Sequence, residues 1–550
     1  MRTSHADLRL APAAITAWGT ALVVVVLPVA AAVALGCAAC AGAGLVGLWT
    51  VARRRTGPQS AGRPAVPAGR AEASSGPRAA AGRGAEPASR ATGHVLLLLV
   101  VVAAVALAGA GQLRARGSGP LGALLDERAT VRVVGTVRSE PQPVLNPAGS
   151  GGQQTRYRIE LGVEQISGRA RAGSAAAPVL VLGGPAWADV AYGSRVQATG
   201  RLAPAEPGEV AFALLAARGP PRQVDPPGVV DRVVRRIRHA LLDASDRLDP
   251  DPRGLVPGIA VGDTTRMPPE LTAAMKVSGL THVTAVSGAH FAIIGAAVLG
   301  LTVLAGLSRP VRVGVVAAVM ALFVLLVHPE PSVLRAAVMG AVGVGGLLLG
   351  RPSRAIPALA ATVIALLVVD PWLARSYGFV LSVLATAGIV LLTEPLTRWL
   401  ARGLPDLLAH AIAVPFAAQS ACAPVIVLLN PALSPFAVPA NLVAAPALVP
   451  ATVAGVLAAL VAPWWSWGGA MLAQVAGWSA WWIAEVARVC AGLPGAQLPW
   501  PGGAGGAVLL GAATVAAGVG IANRDLLRRR WLGGLLSASR PAGRRRTRRP

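Results

Sequence analysis

The sequence predicts a polytopic α-helical membrane protein with about 12 spanning helices and a small extracytoplasmic all-β domain of the OB type. Three observations carry this expectation. Of 550 residues, 54% are apolar and only 14% charged, and the apolar residues gather in runs too long for a soluble core helix. Between residues 121 and 222 the long runs give way to short alternating ones broken by Gly and Pro, the signature of antiparallel strands. Arginine then falls on alternate connections, as cytoplasmic retention of positive charge requires.

Residues 1–52 contain an apolar stretch, Ile15 to Val51, nearly twice as long as one span needs, with small residues near Gly36 where it could turn back. It reads as a helical hairpin, and its immediate return into lipid argues against a cleaved signal peptide. Residues 53–93 are rich in Arg, Pro and Gly and too poor in apolar side chains to fold, so a disordered cytoplasmic linker is expected there. Residues 94–113 form a third span that carries the chain outside. The β domain at 121–222 offers five strands, near Thr130–Val137, Arg156–Val163, Pro178–Leu182, Ser194–Leu202 and Val210–Arg218.

Residues 229–249 are amphipathic, with Arg232, Arg235, Arg236 and Arg238 on one side, and should lie along the membrane surface. Nine further apolar segments follow within 253–522, and residues 523–550 make a basic tail. Threaded alternately from an outside β domain, they put Arg309 and Arg312, Arg351 and Arg354, Arg398 and Arg402 and the tail in the cytoplasm. The outer loops near Pro329, Asn430 and Pro494 carry no Lys or Arg, and Arg375 is the main exception. The net charge of +25 is nearly all arginine, since Lys276 is the sole lysine. Cys37 and Cys40 sit among Ala and Gly and read as small packing residues rather than a redox or zinc pair.

Polar groups interrupt the lipid segments most densely in Gly258-Ile-Ala-Val-Gly262-Asp263 and in Gly279-Leu-Thr281-His282-Val-Thr284-Ala-Val-Ser287-Gly288-Ala-His290. A lipid-facing helix has no use for two His, two Thr and a Ser within ten residues. If the segment is helical, Thr284, Ser287 and His290 share one face, which should look into protein or water. A Ser287–His290 catalytic pair is disfavoured, because neighbours three apart make a poor nucleophile and base and no acid is near to orient the imidazole. A polar helix contact or the lining of a transport path remain. Asn441 to Pro450 holds Pro446 and Pro450, and an interrupted helix is expected there.

The run from Leu280 to His290, preceded by Gly262 and Asp263, resembles the signature of the ComEC competence family. In the same order, Ser332 and Arg335 in Pro331-Ser-Val-Leu-Arg-Ala resemble its Ser-x-x-Arg-Ala element. Asp370-Pro371 and Gly378-Phe-Val-Leu-Ser382 resemble its Asp-Pro and Gly-Phe-x-Leu-Ser elements, and Asn441-Leu-Val-Ala-Ala-Pro446 its Asn-Leu-x-x-x-Pro. The resemblance implies a channel that passes single-stranded DNA into the cytoplasm during transformation, served by a separate DNA receptor, nuclease and cytoplasmic helicase, in a lipid bilayer and with a homo-dimer conceivable. It places the motif residues on the transport path. Many relatives end in a metallo-β-lactamase-like domain, and the seven scattered His of this chain (5, 94, 239, 282, 290, 328, 410) supply no His-x-His-x-Asp-His cluster for one. No enzyme activity, metal or other cofactor is therefore expected.

A strand crossing about 30 Å of hydrocarbon needs a hydrated lumen, because bare phosphates in lipid are costly. On the β domain, Arg132, Arg156, Arg158 and Arg195 could meet phosphates, with Tyr157 and Tyr192 as stacking platforms. Two other classes compete. A secondary transporter of a small solute usually shows repeated halves, and none is visible. A membrane enzyme acting on a lipid-linked substrate would be expected to cluster acidic residues near an interface, and the chain has no such cluster.

Overall fold

The computed structural model describes residues 8–55, 85–146, 154–206, 208–328, 331–348 and 355–538. Most of the predicted linker and the end of the predicted tail lie outside the described residues. The chain divides into two compact units, one of residues 7–234 and 351–379, the other of residues 235–350 and 380–550.

The first stretch of chain forms α1 (Ala11–Val24), α2 (Val29–Arg55), α3 (Ala85–Arg116) and α4 (Leu121–Asp126). Seven strands follow: β1 (Thr130–Val137), β2 (Gln142–Asn146), β3 (Gln154–Gly168), β4 (Arg171–Gly183), β5 (Arg195–Pro204), β6 (Ala213–Ala217) and β7 (Arg222–Asp225). Then come α5 (Val229–Ala244), α6 (Pro250–Val261), α7 (Pro269–Val277), α8 (Gly288–Leu304), α9 (Arg309–Val327) and α10 (Pro331–Leu348). The last part holds α11 (Ala355–Val369), α12 (Tyr377–Leu400), α13 (Asp406–Leu429), β8 (Ala432–Leu433), α14 (Ala437–Val461), α15 (Ser466–Gly492), β9 (Leu498–Pro499) and α16 (Gly503–Ala538).

In the first unit the strands close on themselves. β1 pairs with β3 on one side and β5 on the other, and the circuit runs β1-β3-β4-β6-β5 and back to β1. All pairs in it are antiparallel except β4 with β6, which is parallel. Strict alternation makes this possible: Thr130 and Arg132 point out while Val131 and Val133 point in, and β5 alternates likewise. The enclosed core holds Val133, Ile159, Leu161, Val181 and Leu215, fully buried, and Trp187, whose indole N–H donates to the Gly219 carbonyl at 3.1 Å. The five expected strands are all present, with β2 and β7 added at the margins.

Around α3 the same unit gathers α1, α2 and α11. Small residues set that packing, with Val24, Ala32, Ala106 and Ala110 forming a buried cluster. Trp18 of α1 stacks on Phe379 at 5.2 Å and donates to the Ala374 carbonyl at 3.1 Å. Cys37 and Cys40 lie on an exposed face of α2 and form no disulfide.

The second unit is helical. α14 and α15 form its tightest pair through small side chains, with Ala440, Ala444, Ala451 and Ala458 of α14 and Ala473, Ala476 and Ala480 of α15 all buried. α6 packs on both, α8 on α9, α10 and α14, and α13 on α14 and α16. α14 runs unbroken through Pro446 and Pro450, correcting the expected interruption. Each proline removes one backbone hydrogen bond, and close neighbours keep a membrane helix together despite that loss.

Seven described helices are long and apolar enough to cross a membrane: Val29–Ala52, Ala91–Arg116, α9, α12, α13, α14 and Gly503–Gly520. α1, α8 and α11 are apolar but shorter. α15 is long but carries Glu485 and Arg488, and Arg488 grips Asp251 of α6 with two bonds of 2.7 Å.

Candidate functional site

The motif residues Gly262 and Asp263 sit where α6 ends. Gly262 adopts φ +75°, the left-handed conformation that lets the chain leave a helix, and its N–H returns to the Gly258 carbonyl at 3.1 Å. Asp263 then accepts from the Thr265 N–H at 3.1 Å and the Thr265 hydroxyl at 2.6 Å. Its other oxygen lies 3.5 Å from buried Arg238, which α5 delivers and which also donates to the carbonyls of Val261 at 2.7 Å and Leu326 at 3.3 Å. One guanidinium thus serves the negative C-terminal ends of α6 and α9 together with a carboxylate. α5 therefore turns at least one of its arginines inward, and the Gly-Asp element is a structural junction.

The polar run from 281 to 290 is not one helix. Thr281–Val283 make a 3₁₀ turn, Thr284 ends it, and Ser287 is extended, at the N-cap of α8. Thr284, Ser287 and His290 accordingly do not share a helical face, because the hydroxyls cap turns and local bonds outcompete a continued helix. The Thr284 hydroxyl donates to the Thr281 carbonyl at 2.9 Å, that of Thr281 to Met275 at 3.3 Å, and the exposed His282 places Nδ1 3.2 Å from the Gly279 carbonyl. Gly279, at φ +72°, stops α7 and lies against Ala437 of α14.

Ser287 and His290 do meet. The Ser287 backbone N–H donates to His290 Nδ1 at 3.1 Å, and the Ser287 hydroxyl lies 3.2 Å from the same nitrogen. This is the reciprocal half of a capping box, with His in place of the usual Glu or Gln. The arrangement supplies no nucleophile, since the imidazole nitrogen nearest the hydroxyl already accepts the backbone proton. His290 is 1% exposed, and its Nε2 has no partner among the described residues.

Arg335 of α10 is the second focus. It is 5% exposed, and it donates from Nε to the Ser382 hydroxyl at 2.6 Å and from Nη1 to the Thr386 hydroxyl and Met339 Sδ, both at 3.1 Å. No carboxylate reaches it among the described residues. The structure thus brings together two motif elements, Arg335 and Ser382, and one residue that motif reading missed. Thr386 stands four positions after Ser382, on one face of α12, and that spacing was its available signal. The Nη2 of Arg335 also comes 3.5 Å from where a Cβ on Gly288 would be, at the start of α8.

The remaining candidates divide. Asn441 donates back to the Ala437 carbonyl at 2.7 Å, and Pro446 is exposed on the same helix. Asp370 caps its own turn, accepting from the Trp372 N–H at 3.0 Å; it and Gly378 fall in the other unit. The side chain of Ser332 lies outside the described residues. On the barrel, Arg132 and Arg158 are exposed and Arg156 half-buried. Arg195 is committed to Glu164 at 2.9 Å and Asp225 at 3.2 Å, and Tyr157 packs against the core. Arg201, beside Arg132 on the outer face of β1 and β5, was not singled out by its sequence context. Tyr192 titrates higher than an ordinary phenol, first because it is buried and then because Asp231 is near. No group of three metal-ligating side chains occurs among the described residues.

These features define a multi-pass helical membrane protein with a barrel module, in which the described polar focus lies between α8, α10 and α12. Residues 259–524 match the family model described as Competence protein. ComE operon protein 3 of Bacillus subtilis (strain 168) is 27% identical over 230 residues, which is 41% of this chain and 29% of that relative. The alignment therefore spans less than a third of the relative's length. Through this segment, a little under half of its length, the chain is similar to the ComEC competence family. No solved structure matches it.

Proposed function

We propose that this protein passes single-stranded DNA across the cell membrane during natural transformation, and that the helical unit carries the path. The observation that carries the reading is Arg335, a buried guanidinium held by two hydroxyls and a thioether with no carboxylate among the described residues. Ions at membrane depth are rare and mark transport paths. A neutral cradle fixes the charge in place and leaves it for a polyanion, whereas an ion pair would cancel it.

The barrel supports the same reading. Its circuit, with a single parallel pair between β4 and β6, is the connectivity expected of a five-stranded OB barrel, a fold used for single-stranded nucleic acid. Arg132, Arg158 and Arg201 are exposed cations on it, whereas Arg195 is held by Glu164 and Asp225. In this proposal α1, α8, α10, α11 and α15 join the seven long helices to make twelve spans, the barrel faces outside, and both termini face the cytoplasm. A separate receptor, nuclease and helicase would supply capture, strand degradation and force, and the chain itself performs no chemistry.

The test is DNA uptake per molecule of membrane-inserted protein. Ser287→Ala should be tolerated and Ser287→Trp should block entry without lowering protein level. Arg335→Gln should reduce uptake about tenfold or more, the equivalent of one lost contact of about 1.4 kcal/mol. Normal uptake by Ser287→Trp removes the start of α8 from the path.

A further inference from the structure

Two positive features converge at the start of α8. The first N–H groups of a helix lack partners and carry the positive end of its dipole, and no acceptor meets those of Gly288 and Ala289 among the described residues. Beside them stands Arg335, buried, with Nη2 3.5 Å from the position a Cβ on Gly288 would take. A guanidinium set against a helix N-terminus is repulsive unless an anion lies within reach of both. Gly288 is what permits the approach, and Ala289 is exposed, so the turn is open on one side. A third donor points the same way in charge. Because His290 Nδ1 accepts from the Ser287 N–H, the neutral imidazole carries its proton on Nε2, which is buried on this same turn without a partner among the described residues.

We propose that the first turn of α8 and the Arg335 guanidinium form a site for one phosphate group, which in the working protein is a phosphodiester of the passing strand. This rests on the DNA reading for the identity of the ligand but not for the existence of the site. Backbone N–H donors at a helix start together with an arginine fork match the chemistry of phosphate oxygens. The site binds through one guanidinium and no divalent ion, so it holds each phosphate weakly enough to release it to the next.

The experiment uses the full chain in discs of phosphate-free galactolipid, with thermal unfolding read in inorganic phosphate against chloride at equal ionic strength. Phosphate at ten times its dissociation constant should raise the midpoint by roughly 3 °C. Arg335→Gln should abolish the rise. Gly288→Pro should reduce it by removing one donor while keeping the helix, because proline suits the first helical position and Ser287 is already extended. An oligothymidylate should compete with inorganic phosphate, and its uncharged methylphosphonate analogue should not. No difference between phosphate and chloride in the unaltered protein overturns the site, as does an undiminished response in folded Gly288→Pro and Arg335→Gln. Competition by added phosphatidylglycerol but not by oligothymidylate would overturn the strand as ligand. Because the readout is binding, it stands or falls separately from DNA uptake.

Discussion

Replacing Arg238 by Met tests whether the Gly262-Asp263 element is a structural junction. The Arg238 and Asp263 side chains are 7% and 11% exposed and 3.5 Å apart. At an effective dielectric constant of about 20, Coulomb's law gives roughly 5 kcal/mol for such a pair. Desolvation of both ions offsets much of it, so the net coupling should be about 1–3 kcal/mol. The single substitution costs more than the coupling, because it also strips the Val261 and Leu326 carbonyls of a charged donor at two helix ends. Removing one member of a buried pair costs about 3–5 kcal/mol, which corresponds to a fall in thermal midpoint on the order of 10 °C. The assay is thermal unfolding of the purified full chain in lipid discs for Arg238→Met, Asp263→Asn and the double variant. A fall equivalent to less than about 1 kcal/mol for Arg238→Met, or strictly additive singles, refutes the junction.

Other outcomes follow from the same geometry. In a background without the four native cysteines, Cys at Ser150 should react with an impermeant maleimide in intact cells and Cys at Ser75 should not; labelling at Ser75 overturns the proposed orientation. Gly200→Val should open the barrel, because a Cβ there overlaps the Ala216 carbonyl oxygen across the β5–β6 pair; overpacking costs about 1–3 kcal/mol, read as faster trypsin cleavage within residues 121–222. Purified protein should leave DNA intact with Zn²⁺ or Mn²⁺, and metal-dependent cleavage that survives His282 and His290 substitution would reveal an unrecognised site.

The alternation of β1 and β5 was legible because period 2 is local: each Val or Ala between Thr and Arg declares its own face. That β1 would pair with β5, and β4 run parallel to β6, was not, since register between distant strands depends on closure of the whole barrel. The polar run at 281–290 showed that something other than lipid faces it. Its form was hidden, because Thr284 and Ser287 serve turn and cap, and a helical wheel presumes the helix that they end. Pro446 and Pro450 misled for the opposite reason. Propensity describes an isolated helix, while α14 is held by the alanine faces of its neighbours. The Arg335–Ser382 contact joins motifs 47 positions apart, and only their chemistry, a donor and a hydroxyl, hinted that they meet.

The make-up of the first unit bears on how the chain is made. α1, α2, α3 and the barrel leave the ribosome early, yet α11 and the turn that receives Trp18 come only after α5 to α10. During synthesis α1, only 14 residues long, therefore has α3 to pack on before α11 and that turn are made. A late-arriving helix must diffuse back past six others to complete an assembly begun long before. Insertion of the amino-terminal helices and their final packing are thus separate events in time, and the interval between them is when a holding chaperone or a protease would find the nascent chain.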